Sequence, residues 1–137
     1  MTNIIYIQAA ENIEHTELNG FFVDWPDSPS PQRHLDILRA SHGVEMAIDK
    51  DTNQVVGFIN VISDGILSAY IPLLEVLPAY QGQGIGKELL NRIVARYHHL
   101  YMLDACCDES VDEFYVSKDF SKVSAMVRRN FESQNAT

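Results

Sequence analysis

The sequence is poor in cysteine. Of its 137 residues two are cysteine, and they are neighbours, Cys106 and Cys107. Adjacent cysteines could form only a strained bridge that closes no useful loop. A disulfide framework is therefore excluded, and reduced thiols in a cytoplasmic setting are expected. Long apolar runs are missing as well. None approaches the roughly 18 residues that a membrane span requires. The opening residues, Met1-Thr2-Asn3-Ile4-Ile5-Tyr6, lack the basic segment and apolar stretch of a secretory signal. Basic residues are scarce: 10 Lys and Arg stand against 19 Asp and Glu, a formal charge of −9. That deficit argues against nucleic acid, whose phosphates would be repelled. It suits either a cationic substrate or solubility alone. Metal-ligand spacing is absent too. His98 and His99 are adjacent and cannot make an i, i+4 pair, while His15, His34 and His42 have no obvious partners. The calcium-like run Asp49-Lys50-Asp51-Thr52-Asn53 is followed by Gln54 where glycine is needed, and Asn60 stands where glutamate is needed. No metal, membrane or nucleic-acid partner is expected.

What is present is an ordinary globular balance, 46% hydrophobic and 21% charged, in a chain long enough for one buried core. Residues 1–137 are expected to form a single domain. β-formers open it, with a short strand at residues 3–8. Three prolines between positions 26 and 31 break regular structure. A helix follows with Ser30 as N-cap, Pro31 in its first turn, Leu35 and Leu38 as its apolar stripe, and Gly43 at its end. Strands are predicted at residues 44–48, 55–62 and 66–77, the second and third joined by a tight turn at Ser63-Asp64-Gly65. The third strand is apolar on both faces and is expected to be central. Residues 85–97 form the best helix, with Ile85, Leu89, Leu90, Ile93, Val94 and Tyr97 on one face. A strand at 100–105, a short helix at 109–117 and a last strand at 122–130 complete the chain, before a frayed end at 132–137. The fold class is α+β: a mixed, mostly antiparallel central sheet flanked by helices.

The run Gln81-Gly82-Gln83-Gly84-Ile85-Gly86-Lys87 lies between a buried strand and an amphipathic helix. Glycines let a backbone come close to a ligand. The free N–H groups of a first helical turn, with the helix dipole, then face an anion. A Walker loop fails here, because Gln81 stands for its glycine and Glu88 for its Ser or Thr. A dinucleotide fingerprint fails at Lys87 and after an antiparallel sheet. The pattern Gln/Arg-x-x-Gly-x-Gly/Ala fits without a gap on Gln81, Gly84 and Gly86.

That last pattern is the pyrophosphate loop of the GCN5-related N-acetyltransferases, the GNAT superfamily. The whole stretch from Val76 through Leu90 resembles that family's motif. The element order from residue 3 to 130 is similar, and Phe114-Tyr115 followed by Phe120 resembles its later tyrosine segment. The resemblance implies a GNAT-like α+β fold and an N-acetyltransferase that uses acetyl-CoA on a small primary amine. Its alternatives are a non-catalytic acyl-CoA-binding domain and an enzyme acting on protein N-termini or lysines. The pyrophosphate would lie on Gln81, Gly82, Gln83, Gly84, Ile85, Gly86 and Lys87. The pantetheine arm would pair with the backbone of Val76 and Leu77, and an N–H near residue 76 would polarise the acyl carbonyl. Tyr115 would protonate the departing thiolate, and Asp24 with Trp25 would lie in the segment that caps the acceptor pocket.

Glu75 is the only charged residue between Ile66 and Tyr80. A buried carboxylate is costly unless paired or functional, so it is either the base that takes the amine's proton or a structural partner for a backbone donor or an arginine. Asp104 is its rival. Cys106 and Cys107, ending a strand, read as inert packing. Three departures from the family stand out, the first being that its common asparagine after the fifth strand is not evident around Cys107-Asp108-Glu109. Asp119 replaces the glycine before Phe120, so that turn is expected to differ. Only 17 residues follow Phe120, too few for a long final hairpin, so a partner subunit in a homodimer is expected to complete the acceptor pocket.

Overall fold

The computed structural model describes residues 3–137. Six strands form one sheet: β1 (Ile4–Ile7), β2 (Gly43–Asp49), β3 (Gln54–Ser63), β4 (Ser68–Ile71), β5 (Leu74–Val76) and β6 (Met102–Ala105). The order across it is β1-β2-β3-β4-β6, with β5 also pairing with β3. Every pairing is antiparallel except β4 with β6. The α+β class and the mostly antiparallel sheet are therefore as the sequence indicates.

Helix α1 (Pro31–Ala40) begins as expected, with the Ser30 hydroxyl accepting the Arg33 N–H at 3.1 Å. It stops at Ser41, and Gly43 opens β2 instead of ending the helix. With residues of the preceding segment, α1 covers one face of the sheet. Helix α2 (Ile85–Arg96) covers the other, burying Ile85, Leu89, Leu90 and Ile93. It lies so close to β3 that a side chain at Gly57 would meet Ile85 and Leu89 at 3.1 and 3.2 Å. Its C-terminal half is tied to β2 by Glu45, which is fully buried. One Glu45 oxygen pairs with Arg96 at 2.7 Å and the other lies 3.8 Å from Arg92. Burial raises the Glu45 pKa against the pull of both arginines. Removing Arg96 would strand this carboxylate in the core.

Two expected strands are corrected. The stretch 66–77 is not one central strand. Ile66 and Leu67 belong to the turn, where the Asp64 carboxylate accepts the N–H groups of Ile66, Leu67 and Ser68. These three bonds hold the Asp64 pKa below its ordinary value. The rest is divided into β4 and β5 by Pro72-Leu73. Residues 122–130 form no strand, and residues 122–129 make no backbone hydrogen bond to another backbone group among the described residues. Alternation alone does not make a strand. It needs an adjacent edge, and a cavity of about 310 Å³ separates this segment from the end of β6 and from helix α3 (Asp112–Val116). At Asp119 the turn is not altered as expected: φ is +67°, the left-handed region that a glycine would take and that Asp tolerates.

His34 lies in the core of the α1 face, against the rings of Phe21, Phe22 and Phe58 at 5.3, 4.8 and 4.4 Å. Neither ring nitrogen has a hydrogen-bond partner among the described residues. Burial pushes its pKa down from 6.5 to about 4. The unfolded chain therefore binds a proton that the fold excludes. The associated stability is complete above pH 6.5 and is lost as pH falls through about 4, and a gap of this size corresponds to roughly 3 kcal/mol. His34→Leu should remove this component. Urea unfolding of the two proteins between pH 7 and 4 checks it: the wild type should lose about that much more stability than the variant over the range.

Candidate active site

The sheet divides at Pro72-Leu73, and the division is held from β3. The Asn60 side chain is buried. Its Oδ1 accepts the Leu73 N–H at 3.1 Å, its backbone N–H donates to the Leu73 carbonyl at 3.2 Å, and its Nδ2 donates to the Ser41 hydroxyl at 3.1 Å. Before the break, β4 pairs with β6. Beyond it, β5 pairs with β3 alone. A wedge opens between β5 and β6, and two cavities of about 430 and 660 Å³ occupy it. They share Leu74, Val76, Gln81, Val111 and Tyr115 as lining, so the two arms meet there.

The smaller arm holds the glycine loop. Val76, Gln81, Gly82, Gly84, Ile85, Gly86 and Lys87 line it; Leu77 and Gln83 do not. Tyr80 anchors the loop by donating its hydroxyl to Asp49 at 2.7 Å, which raises the phenol's pKa. The Gln81 amide donates to the Val76 carbonyl at 2.9 Å. Gly82 and Gly84 take φ of +80° and +83°, and a Cβ on either would project into open space. Gly84 is the N-cap of α2 and supplies no capping side chain, so the first-turn N–H groups face the arm without an intrahelical acceptor. Glycine cradle, orphan donors and Lys87 together fit a diphosphate. Gly86 differs, since a Cβ there would make ordinary contacts with Val76 and Phe114 at 3.6–3.9 Å. The Leu77 N–H bonds the Val56 carbonyl at 2.8 Å and its carbonyl accepts from the Tyr80 N–H at 2.9 Å. The alternation of antiparallel pairing then turns the N–H of Val76 toward the open edge.

The larger arm is lined by Asp24, Trp25, Glu75, Asp108 and Arg129, among others. Glu75 holds the segment opposite it. Its Oε1 accepts the Phe22 N–H at 2.9 Å and its Oε2 the Val23 N–H at 3.3 Å. Phe22 and Asp24 have φ of +61° and +68°, a conformation that costs of order 1–3 kcal/mol at each non-glycine residue. Consecutive N–H groups in such a bend form an anion nest, here filled by the carboxylate. The structural-partner reading of Glu75 thus has its donors. Asp104 is exposed and lines neither arm.

Tyr115 lines both arms and the separate 310 Å³ cavity. Phe114 and Phe120 pack edge-on against its ring at 5.2 and 5.3 Å, and its hydroxyl makes no hydrogen bond among the described residues. Burial, with smaller contributions from Cys107 and Tyr70, pushes its pKa up to about 12. Cys106 and Cys107 line the larger arm too. Burial and the Asp112 carboxylate, 3.6 Å from its sulfur, keep Cys107 a thiol. Among the described residues no group of three or more His, Cys, Asp or Glu could hold a metal ion, and no helix is long and apolar enough to cross a membrane. Sequence reasoning missed Asn60, Asp108, Val111 and Arg129. Only Asn60, a lone amide in an apolar strand, carried a local signal.

The sheet thus parts beside a glycine-loop helix, with the Tyr115 phenol where the two arms join. The chain belongs to the acetyltransferase (GNAT) family, whose profile spans residues 10–119, and it is an acyltransferase. An assigned acetyltransferase from Deinococcus radiodurans, solved as a crystal structure, is 36% identical and superposes with a TM-score of 0.93, covering 98% of this chain and 97% of that one. The uncharacterized N-acetyltransferase ycf52 of Pyropia yezoensis is 26% identical over 86% of this chain and 71% of its own length. An aminoglycoside N-acetyltransferase solved with CoA shares the fold at 13% identity and a TM-score of 0.68, with 95% of each chain covered.

The two kinds of loop glycine give an expected contrast. Gly84→Val places a branched side chain in the cradle and in a left-handed conformation. It should abolish the melting-temperature rise given by acetyl-CoA. Gly86→Ala should retain it. A ligand at 100 times its Kd adds about 2.7 kcal/mol, several degrees for a domain this size. Thermal melts of the three proteins with millimolar acetyl-CoA and no metal check both.

Proposed function

We propose that residues 1–137 form one acyl-CoA N-acyltransferase domain that moves an acetyl group from acetyl-CoA to a small primary amine. The amine attacks directly in a ternary complex. The observation that carries this reading is the junction of the glycine-loop arm with an acidic second arm at Val76, Gln81 and Tyr115. Acetyl-CoA supplies the activated acyl group as a thioester. Gln81 and the backbone of residues 82–87 hold its diphosphate, with Gln83 contributing through its backbone. Val76 offers its outward N–H to the acyl carbonyl.

The amine enters as a cation. Asp24, Glu75 and Asp108 outnumber the one guanidinium in the larger arm, and Trp25 and Tyr115 add ring faces suited to an ammonium group. The bend at residues 22–25 and the C-terminal segment bound this arm, which favours small amines over protein substrates. To react, the amine loses a proton. Glu75 retains acceptor capacity beyond its two backbone bonds and takes that proton through a water. Tyr115 donates to the departing sulfur. A phenol at about 12 facing a thiolate near 8.5 would lose roughly 5 kcal/mol on full transfer, so Tyr115 acts through a hydrogen bond. No enzyme thioester is needed, since the Cys107 thiol is not activated. The free thiols Cys106 and Cys107 suit a cytoplasmic location, and the unpaired edge of residues 121–129 suits a homodimer.

Thiol release from acetyl-CoA, measured across small amines and N-terminal or lysine peptides, tests the reading. Turnover of amines but not peptides is the expected result, and no release with any acceptor would overturn it. Tyr115→Phe should lower kcat by about ten- to a hundredfold, the worth of a hydrogen bond to a charged atom, with the acetyl-CoA melting shift unchanged. Glu75→Gln should flatten the low-pH limb of the kcat profile and raise the acceptor KM, because one nest donor then faces an NH₂ group. A limb of unaltered shape would return Glu75 to holding the bend alone.

A further inference from the structure

The chain after Phe120 carries a binding element that the mechanism above does not use. From Ser121 to Arg129 no backbone group hydrogen-bonds to any described residue. Val123, Ala125 and Val127 face the 310 Å³ cavity, and Val127 and Arg129 reach the larger arm of the cleft. Met126, between them, is 98% exposed. Both ends of the segment are fixed. Lys122 pairs with Asp112 at 2.9 Å. Beyond Asn130, the Gln134 amide oxygen accepts the Asp27 N–H at 3.0 Å, and the Ala136 carbonyl accepts from Arg33 at 2.8 Å.

Arg129 is therefore held over the acceptor arm, and it is the one Lys or Arg that lines it. Three acids line the same arm, yet none forms an ion pair or hydrogen bond with it. The carboxylate of Glu75 is engaged by the Phe22 and Val23 N–H groups. The guanidinium's charge pulls the Tyr70 pKa down against a larger effect of burial. Five donors in a planar fork are thus left for a ligand, a geometry matched to carboxylate and phosphate oxygens. Arg129 lies outside the lining shared with the cofactor arm, so the group it would meet belongs to the acceptor.

We propose that Arg129 is a specificity-determining residue that binds an oxyanion, carboxylate or phosphate, carried by the acceptor amine. Resting on the acyltransferase reading, this makes the acceptor a small amphoteric molecule: an ammonium toward the Asp24–Glu75–Trp25 side and an anion under the C-terminal segment.

The test compares matched amines with acetyl-CoA saturating: ethanolamine against O-phosphoethanolamine, and butylamine against 4-aminobutanoate. The anionic member of at least one pair, whose oxyanion accompanies the ammonium group, should have a kcat/KM about tenfold or more above its partner, which is neutral apart from the ammonium, and the pair that responds separates phosphate from carboxylate. Arg129→Gln should erase the difference through KM. It should leave the acetyl-CoA melting shift unchanged, and Arg129→Lys should restore part of the preference. The same compounds added to CoA-loaded protein give a second readout: the anionic member raises the melting temperature of the wild type and not of Arg129→Gln. Neutral amines used equally well would overturn the proposal and leave the acyltransferase reading standing. So would a KM rise common to both members, a changed acetyl-CoA shift, or no melting response to any anionic member. Loss of acetyl-CoA binding and of all thiol release in the wild type would overturn the acyltransferase reading itself.

Discussion

The architecture depends on one amide. Asn60 sits in an otherwise apolar stretch of β3 and holds both backbone groups of Leu73 while bracing itself on Ser41. An unpaired amide buried at this depth would cost a few kcal/mol, so the break at Pro72-Leu73 and the side chain that fills it stabilise each other. Everything functional lies downstream of that break. β4 keeps its parallel partner and closes the sheet. β5, turned aside, keeps only β3 and leaves an edge facing the cleft. Helix α2 can then press its first turn against the sheet over Gly57, bringing orphan N–H groups to the mouth of the same opening.

A second constraint joins the two sides of the cleft. Phe22 and Asp24 occupy left-handed backbone conformations, rare for a bulky residue such as Phe though tolerated by Asp, and Glu75 holds the bend through two consecutive N–H groups. Strain of this sort persists where surrounding structure over-determines it. Here the bend positions Trp25 and Asp24, and the carboxylate that holds it lines the same arm. Local stability and acceptor recognition thus pass through one side chain.

How much of this could be read from the chain follows from the range of each signal. The glycine loop and the apolar face of α2 were legible because spacing within a dozen residues specifies them. Ser30 as N-cap and the two helices on opposite faces followed from the same local rules. Tyr115 could be located because aromatic neighbours bracket it in sequence. The division of 66–77 was hidden, since an apolar run reads alike whether it pairs once or twice, and only Pro72 marked it. The bonds of Glu75 span 52 and 53 residues, so no local pattern carries them. The segment 122–130 misled because alternation records which way side chains face and says nothing about whether a neighbouring backbone is within reach. Arg129 is the cost of that reading, since nothing local to it pointed to the cleft.

The open edge of β5 also bears on how the protein stays free of unwanted company. An exposed strand edge is a template for sheet extension by other chains. This one is three residues long, lies between Pro72 and Pro78, and has one of its outward carbonyls covered by the Gln81 amide. Proline has no N–H to give to a ladder, so a foreign strand arriving here could not extend its register in either direction. A short, amide-bearing ligand arm needs no more than the groups on offer. Edge length thus sorts occupants by size, and the same break that opens the sheet keeps it from becoming a seed for aggregation.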